Sequence, residues 1–283
     1  MFRPDPSRRL AVVLGTNEIA SAVAVLLHRA GDAVVLAHDP NPPVIRRGMA
    51  FHDALYDDIA VVEEVCGRRA DRFLDLAPVL AIPDTVAVTR LGLLDLIVHG
   101  RMDVLVDARL HKRAETPDLR HLAGITVGLG PGFAVGANCD VAVETRPVSP
   151  VRPVTQGRTE AADGVPSPLG GVGRERFVYS PVAGRWRSAV EIGKRVFVGY
   201  PVGRIDGVPV LAPMDGILRG AVRDGLEVPV GVKVIEVDPR GRAARWTGLD
   251  DRPRKIAEAT LAAIDLKTRP LASARVLTYA RDR

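Results

Sequence analysis

The stretch SPVAGRWRSAVEIGKRVFVGYPVGRI, residues 180–205, returns 32 positions later as APMDGILRGAVRDGLEVPVGVKVIEV, residues 212–237, with 10 identities in 26 and no gap. The matches include Pro181/Pro213, Gly184/Gly216, Gly193/Gly225 and Gly199/Gly231, and apolar pairs such as Val196/Val228, Val198/Val230 and Val202/Val234. Short β-branched runs punctuated by recurring turn glycines read as an all-β unit. A half of this size cannot bury its own apolar face, so the two copies must pack together as one sandwich. This places a small β domain at 174–248. Before it, residues 148–173 are rich in Pro, Gly and small polar residues and read as a linker or crossing loop. After it, residues 249–283 open with Ile256, Ala259, Leu261 and Ile264 at helical spacing, expected to pack back on one of the domains.

Residues 1–147 read differently. Leu10–Leu14 is an apolar run ending at Gly15, followed by a helix with Ile19, Ala22, Val23 and Leu26 on one face, a stop at Gly31, and a second run at Ala33–Ala37. Strand, glycine turn, helix and strand make a βαβ unit, the start of a Rossmann-like parallel sheet. Val86–Val88, Val104–Val106 and Ile125–Val127 are spaced as further strands, with a crossover helix over Leu91–Val98. The fold class is therefore α/β: a Rossmann-like domain, a small all-β domain and a C-terminal helix.

A dinucleotide site wants Gly-x-Gly-x-x-Gly/Ala at the first turn, so that backbone amides can approach a pyrophosphate. Gly15, Asn17 and Ala20 occupy those positions, and Glu18 adds a carboxylate at the helix start. Asp39 lies near the place of a ribose-binding acid. The residues leave open a nicotinamide-nucleotide-dependent oxidoreductase, a scaffold that binds no small ligand, and a binder of some other anion. For the last, adjacent Arg46 and Arg47 follow the second strand, and paired guanidiniums suit phosphate or carboxylate. Gly128, Gly130 and Gly132 form a loop able to offer bare amides, and Asp107, Arg109 and Lys112 follow another strand end on the same rim. Gly15, Asn17, Arg46, Arg47, Asp107, Lys112, Gly128, Gly130 and Gly132 are the candidate ligand-binding residues.

Composition narrows the classes. Apolar residues are 47% and charged residues 26%, as in a globular protein with a full core. No apolar run reaches the ~18 residues of a membrane span, and the opening residues lack a secretory apolar core. Two cysteines, Cys66 and Cys139, build no disulfide scaffold, and a cytoplasmic setting is expected. The net charge of +5 comes mostly from arginine, and 4% aromatics gives little to stack bases on, so nucleic acid is not an expected partner. His28 and His99 sit at helix ends, and His52, His111 and His121 are scattered with no metal-ligand spacing.

The pattern Ala-Pro-x-x-Gly with Gly-x-x-Val-x-x-Gly in each half resembles the biotinyl/lipoyl domains and the wider barrel-sandwich hybrids. Their carrier members attach the cofactor to a lysine on the hairpin between halves; here that hairpin is Arg204–Val208 and holds none. An unmodified docking or structural module, without covalent biotin or lipoate, is expected. Along nearly its whole length the chain also resembles the YqeB-type accessory proteins associated with selenium-dependent molybdenum hydroxylases. The marks are GTNEIAS (15–21), PPVIRRGMAF with ALYD (42–57), VDARLHK (106–112), GLGPGF (128–133), VETR (143–146), APMDGILRG (212–220), DGLEV (224–228) and VDPRG (237–241). The resemblance implies a maturation factor for a molybdenum-containing hydroxylase. It would bind an anionic small molecule, the molybdenum cofactor or a nucleotide, and dock the hydroxylase or another accessory protein. The family has Gly-x-Gly-Asp where this chain has Gly15, Asn17 and Glu18.

Overall fold

A computed structural model describes residues 7–98, 100–112, 116–147 and 149–268. His99, Val148 and the end of the tail, residues 269–283, lie outside the described residues. The first strand, β1 (Leu10–Leu14), is buried along its length. Ala11 and Val13 face one apolar cluster while Leu10, Val12 and Leu14 face another. A strand covered on both faces needs an unbroken apolar run, and that is what the sequence carries here.

After β1 come α1 (Glu18–Arg29), β2 (Ala33–Ala37), α2 (Ala54–Asp57), β3 (Ile59–Val62), β4 (Val65–Arg69), α3 (Phe73–Leu80), β5 (Thr85–Thr89), α4 (Leu93–Val98), β6 (Met102–Asp107), β7 (Ala123–Leu129), β8 (Val141–Glu144) and β9 (Arg152–Val154). They form one nine-stranded sheet in the order β3-β4-β5-β2-β1-β6-β7-β8-β9. Every pairing from β4 through β8 is parallel, and antiparallel β3 and β9 close the two edges. Strand order reverses direction at β1, whose neighbours are β2 and β6. Such a switch point opens a crevice beyond the carboxyl ends of the two strands.

The segment expected to be a linker carries β9, which pairs Ala142 with Val154 and Glu144 with Arg152. Its composition is that of an edge strand, where a proline such as Pro153 is tolerated.

The β domain contributes β10 (Phe177–Tyr179), β11 (Gly184–Arg187), β12 (Arg195–Val196), β13 (Pro201–Ile205), β14 (Val208–Leu211), β15 (Gly216–Ala221), β16 (Glu227–Val228) and β17 (Lys233–Asp238). They form two four-stranded antiparallel sheets, β10-β17-β15-β12 and β14-β13-β11-β16. Shifting β10–β13 onto β14–β17 turns the first sheet into the second, so the sequence repeat is a structural one. Each sheet mixes strands of both halves, and both contribute to one core around Trp186, Val196, Val202, Leu218, Val228 and Val234. Gly203 makes room for that tryptophan: a Cβ there would stand 2.5 Å from the Trp186 ring.

The final helix, α5 (Asp251–Thr268), returns to the large sheet and lies against α1, burying Ile256, Ala257, Ala259, Ala263 and Ile264. This explains why α1 buries more than the single face its periodicity marks, including Ala20, Ala24 and Val25. The β domain is thus inserted between the last strand and the last helix of the α/β unit.

Candidate functional site

The carboxyl ends of β1 and β6 bring together Gly15, Asn17, Asp107 and Lys112. Gly15 has φ +110°, a conformation that favours glycine, and a Cβ on it would stand 3.2 Å from the Ala108 carbonyl oxygen. Asn17 caps α1: its Oδ1 accepts from the amides of Ile19 (2.9 Å) and Ala20 (3.0 Å), while its Nδ2 donates to Ala108 O (2.9 Å). The amides that would meet a pyrophosphate are therefore engaged by the protein's own side chain. Above this turn His111 Nε2 meets Asp39 Oδ2 at 2.7 Å, tying the rim after β6 to the rim after β2. Asp107 is buried and committed to Arg109, accepting from its Nε at 3.0 Å and its Nη2 at 2.5 Å.

The glycines after β7 have packing roles. A Cβ on Gly128 would lie 2.0 Å from the Phe133 ring, on Gly130 2.8 Å from Leu110, and on Gly132 within 2.4 Å of the Thr116 hydroxyl. The Gly130 amide donates to Val143 O at 3.1 Å. Gly130 and Gly132 admit Leu110 and Thr116 from the segment after β6, which brings that segment against the end of β7.

Arg46 and Arg47 leave the rim and clasp the β domain. Arg46 donates to Glu236 through Nε (2.6 Å) and Nη2 (3.0 Å) and to Glu18 through Nη1 (2.7 Å). Although burial opposes its charge, Glu236 and Glu18 keep Arg46 firmly protonated. Glu236 also accepts from Arg176 at 2.9 Å and has Arg219 at 3.7 Å; Arg219 in turn reaches Asp250 at 2.5 Å. Burial alone would raise the Glu236 carboxyl, but Arg46, Arg219 and Arg176 outweigh it and hold the group down at about 2. Arg47 Nε donates to Ala221 O (2.9 Å), and the Ala221 amide donates to Ile45 O (2.8 Å), so residues 45–47 run along β15 like a short added strand. Arg223 and Asp57 add a bidentate pair at 2.7 and 2.5 Å.

This arrangement changes the electrostatics of the crevice. Glu18 is neutralised by Arg46; Lys233 and Arg252 stand near that pair, and Lys112 stands near Lys233. None of the three has a carboxylate partner among the described residues. Lys233 lies 3.9 Å over the Phe177 ring; burial first, then neighbouring Arg46 and Lys112, push its ammonium down to about 8. Among the described residues Arg252 is held only by the Thr145 carbonyl, through Nη2 at 2.7 Å, and burial works against its charge while nearby Glu18 supports it. A group of cations with spare donors at a sheet's switch point can hold a phosphate or carboxylate. Lys233 and Arg252 escaped sequence reasoning because they come from β17 and α5, far along the chain from the Gly15 turn.

No family model matches the chain. The likeness is to YqeB. The chain is 32% identical over 275 residues to the uncharacterized protein YqeB of Escherichia coli (strain K12), across 93% of this chain and 49% of that protein. It therefore spans about half the length of the curated relative it matches. Among solved structures, the apo form of the ectoine utilization protein EutE (DoeB) from Ruegeria pomeroyi covers 81% of this chain and 86% of its own at 14% identity. Its TM-score is 0.24, too low to transfer a fold or a site. No helix among the described residues is long and apolar enough to cross a membrane.

Proposed function

We propose that this YqeB-like protein is an accessory factor for maturation of a molybdenum-containing hydroxylase, with a Rossmann-like domain that holds an anionic cofactor or nucleotide. The carrying observation is that Lys233 and Arg252 stand near the Glu18–Arg46 pair, with Lys112 near Lys233, and that none of the three cations is in an ion pair among the described residues. The two-sheet β domain, read as a barrel-sandwich hybrid, is a fixed docking module for the hydroxylase or a sister accessory protein. Its hairpin tip is Asp206-Gly207 with both residues at positive φ, and Asp206 Oδ1 accepts from the Arg185 amide at 3.0 Å. A tip so pinned, without a lysine, suits docking better than carrying a swinging cofactor.

The nicotinamide-dependent reading is weakened by Asn17, which caps the helix itself, and by the Asp39–His111 tie above the turn. A scaffold with no small ligand is favoured by a different observation: Arg46, Arg47 and Asp107 all satisfy protein groups. Deleting the gene in its host and measuring molybdenum-hydroxylase activity, with the cofactor content of the purified hydroxylase, tests the proposal. Hydroxylase polypeptide that accumulates without active cofactor is the expected result. Unchanged activity and cofactor content would count against it.

A further inference from the structure

A second polar cluster lies on the other side of β1, at the carboxyl ends of β1, β2 and β5, where the sequence marks nothing. Thr16 follows Gly15, His38 follows β2, and His52 comes from the short 3-10 turn Phe51–Asp53. The Thr16 hydroxyl is shared by His52 Nδ1 at 2.9 Å and His38 Nδ1 at 3.3 Å. The two imidazole rings are 5.3 Å apart, and Tyr56 stands 5.6 Å from His52. Two guanidiniums flank the Tyr56 ring, Arg90 at 4.9 Å and Arg223 at 4.7 Å from its centroid.

Each group around the cluster has an assignable state. His52 is 2% exposed and its Nε2 has no hydrogen-bond partner among the described residues. Burial first, then His38, Arg47, Arg223 and Arg90, push its pKa down to about 3, so the ring is neutral at pH 7. His38 is half-buried; burial and Arg90 lower it while Asp39 raises it. Arg47 is taken by Asp53 and Arg223 by Asp57, with Asp53 at 3.5 Å. Arg90 is different: its only carboxylate neighbour among the described residues is Asp71, at 3.9 Å, beyond hydrogen-bond distance. A buried ring nitrogen without a partner, two neutral imidazoles bridged by a hydroxyl, and an arginine with spare donors all belong to one cluster. Buried polar atoms are ordinarily satisfied, so an orphan such as His52 Nε2 marks a place where something else makes the bond.

We propose that Thr16, His38, His52 and Arg90 form a site for a small oxyanion, a phosphate or carboxylate, whose binding is coupled to protonation of His38. Arg90 supplies the fixed charge, and the outer nitrogen of His38 supplies a second donor. Thr16 holds the His38 ring in place from its inner nitrogen and is itself bonded by His52 Nδ1. An anion beside His38 favours the imidazolium, so the complex binds more protons than the free site. Affinity therefore rises as pH falls from about 8 to 6, the direction that proton uptake requires. This cluster is separate from the cation group on the β6 side and does not depend on it.

The test is calorimetric titration of the whole protein with inorganic phosphate and, separately, acetate, at constant ionic strength between pH 6 and 8. His38 ring protonation is followed in parallel by imidazole nitrogen NMR. Binding that strengthens toward pH 6, with a His38 midpoint raised by the anion, is expected. Arg90→Gln, on an exposed side chain, should weaken binding at least about tenfold. His38→Gln keeps a donor near the outer ring position, so it should retain binding and lose the pH dependence. Binding of both phosphate and acetate assigns the site to oxyanions generally; phosphate alone assigns it to phosphates. No binding at millimolar concentrations, or a pH dependence of acetate binding (acetate stays ionised from pH 6 to 8) that survives His38→Gln, overturns the proposal. Binding unaffected by Arg90→Gln but lost in Lys112→Ala/Lys233→Ala places the anion at the other rim, which sinks this inference and leaves the proposed function standing.

Discussion

Replacing Glu236 with Gln should unfasten the two domains. Its side chain is wholly buried and accepts from Arg46 at 2.6 and 3.0 Å and from Arg176 at 2.9 Å, with Arg219 at 3.7 Å. A glutamine keeps the shape but leaves three guanidiniums facing one another without their shared counter-charge. Breaking a buried ion pair from one side costs about 3–5 kcal/mol. For a chain of this size, that corresponds to roughly 5–8 °C in melting temperature. The wild-type carboxyl is held down at about 2 against an ordinary 4.5. Its stabilisation is therefore complete above about pH 4.5 and is lost as pH falls through 2. Differential scanning calorimetry from pH 7 to 3 should show the variant destabilised at neutral pH. The gap between variant and wild type should begin to narrow at the acid end. A loss below about 1 kcal/mol at pH 7, the range of an exposed pair, would refute the interdomain clasp.

Other outcomes follow from single sites. Gly128→Ala should be severely destabilising, by at least about 3 kcal/mol, because its Cβ would stand 2.0 Å from the Phe133 ring. A melt within 2 °C of wild type, itself roughly 1 kcal/mol, would show that the ring can move aside. The Lys233 ammonium, pushed to about 8 by burial beside Arg46 and Lys112, should titrate near that pH when followed by NMR of the methylated amine. A midpoint above about 10, the ordinary lysine range, would place it in open water. Micromolar binding of NAD(H) or NADP(H) by wild-type protein is not expected, and finding it by fluorescence would move the oxidoreductase reading to first place. Intact-mass measurement of protein from its host should show no biotin or lipoate, and a mass gain at Lys194 or Lys233 would contradict the docking role.

What the sequence made legible was local and periodic. Leu10–Leu14 and Ala33–Ala37 could be read to the residue because strands buried on both faces are written as unbroken apolar runs. The β-domain repeat was legible because each turn glycine recurs at one offset. The hairpin of β3 and β4 was missed: an edge strand such as β3, with Ile59 and Val61 exposed, carries no clear alternation. Arg46 and Arg47 read as a free anion clamp because their partners are distant in the chain, with 190 residues between Arg46 and Glu236. Glu18, expected to repel an anion, is neutralised by Arg46 for the same unforeseeable reason. Pairing between segments apart in the chain leaves no periodic trace, so neither the interdomain clasp nor the Thr16–His38–His52 cluster could be found before the chain was folded.

The proposed anion site at the switch point is tested most directly by identifying what the protein holds. Protein purified from its native host, as wild type and as Lys112→Ala/Lys233→Ala, would be denatured and the released small molecules identified by mass spectrometry. The expected result is a phosphate- or carboxylate-bearing molecule released by the wild type and missing from the folded double variant. No released anion, or the same amount from both proteins, would contradict it.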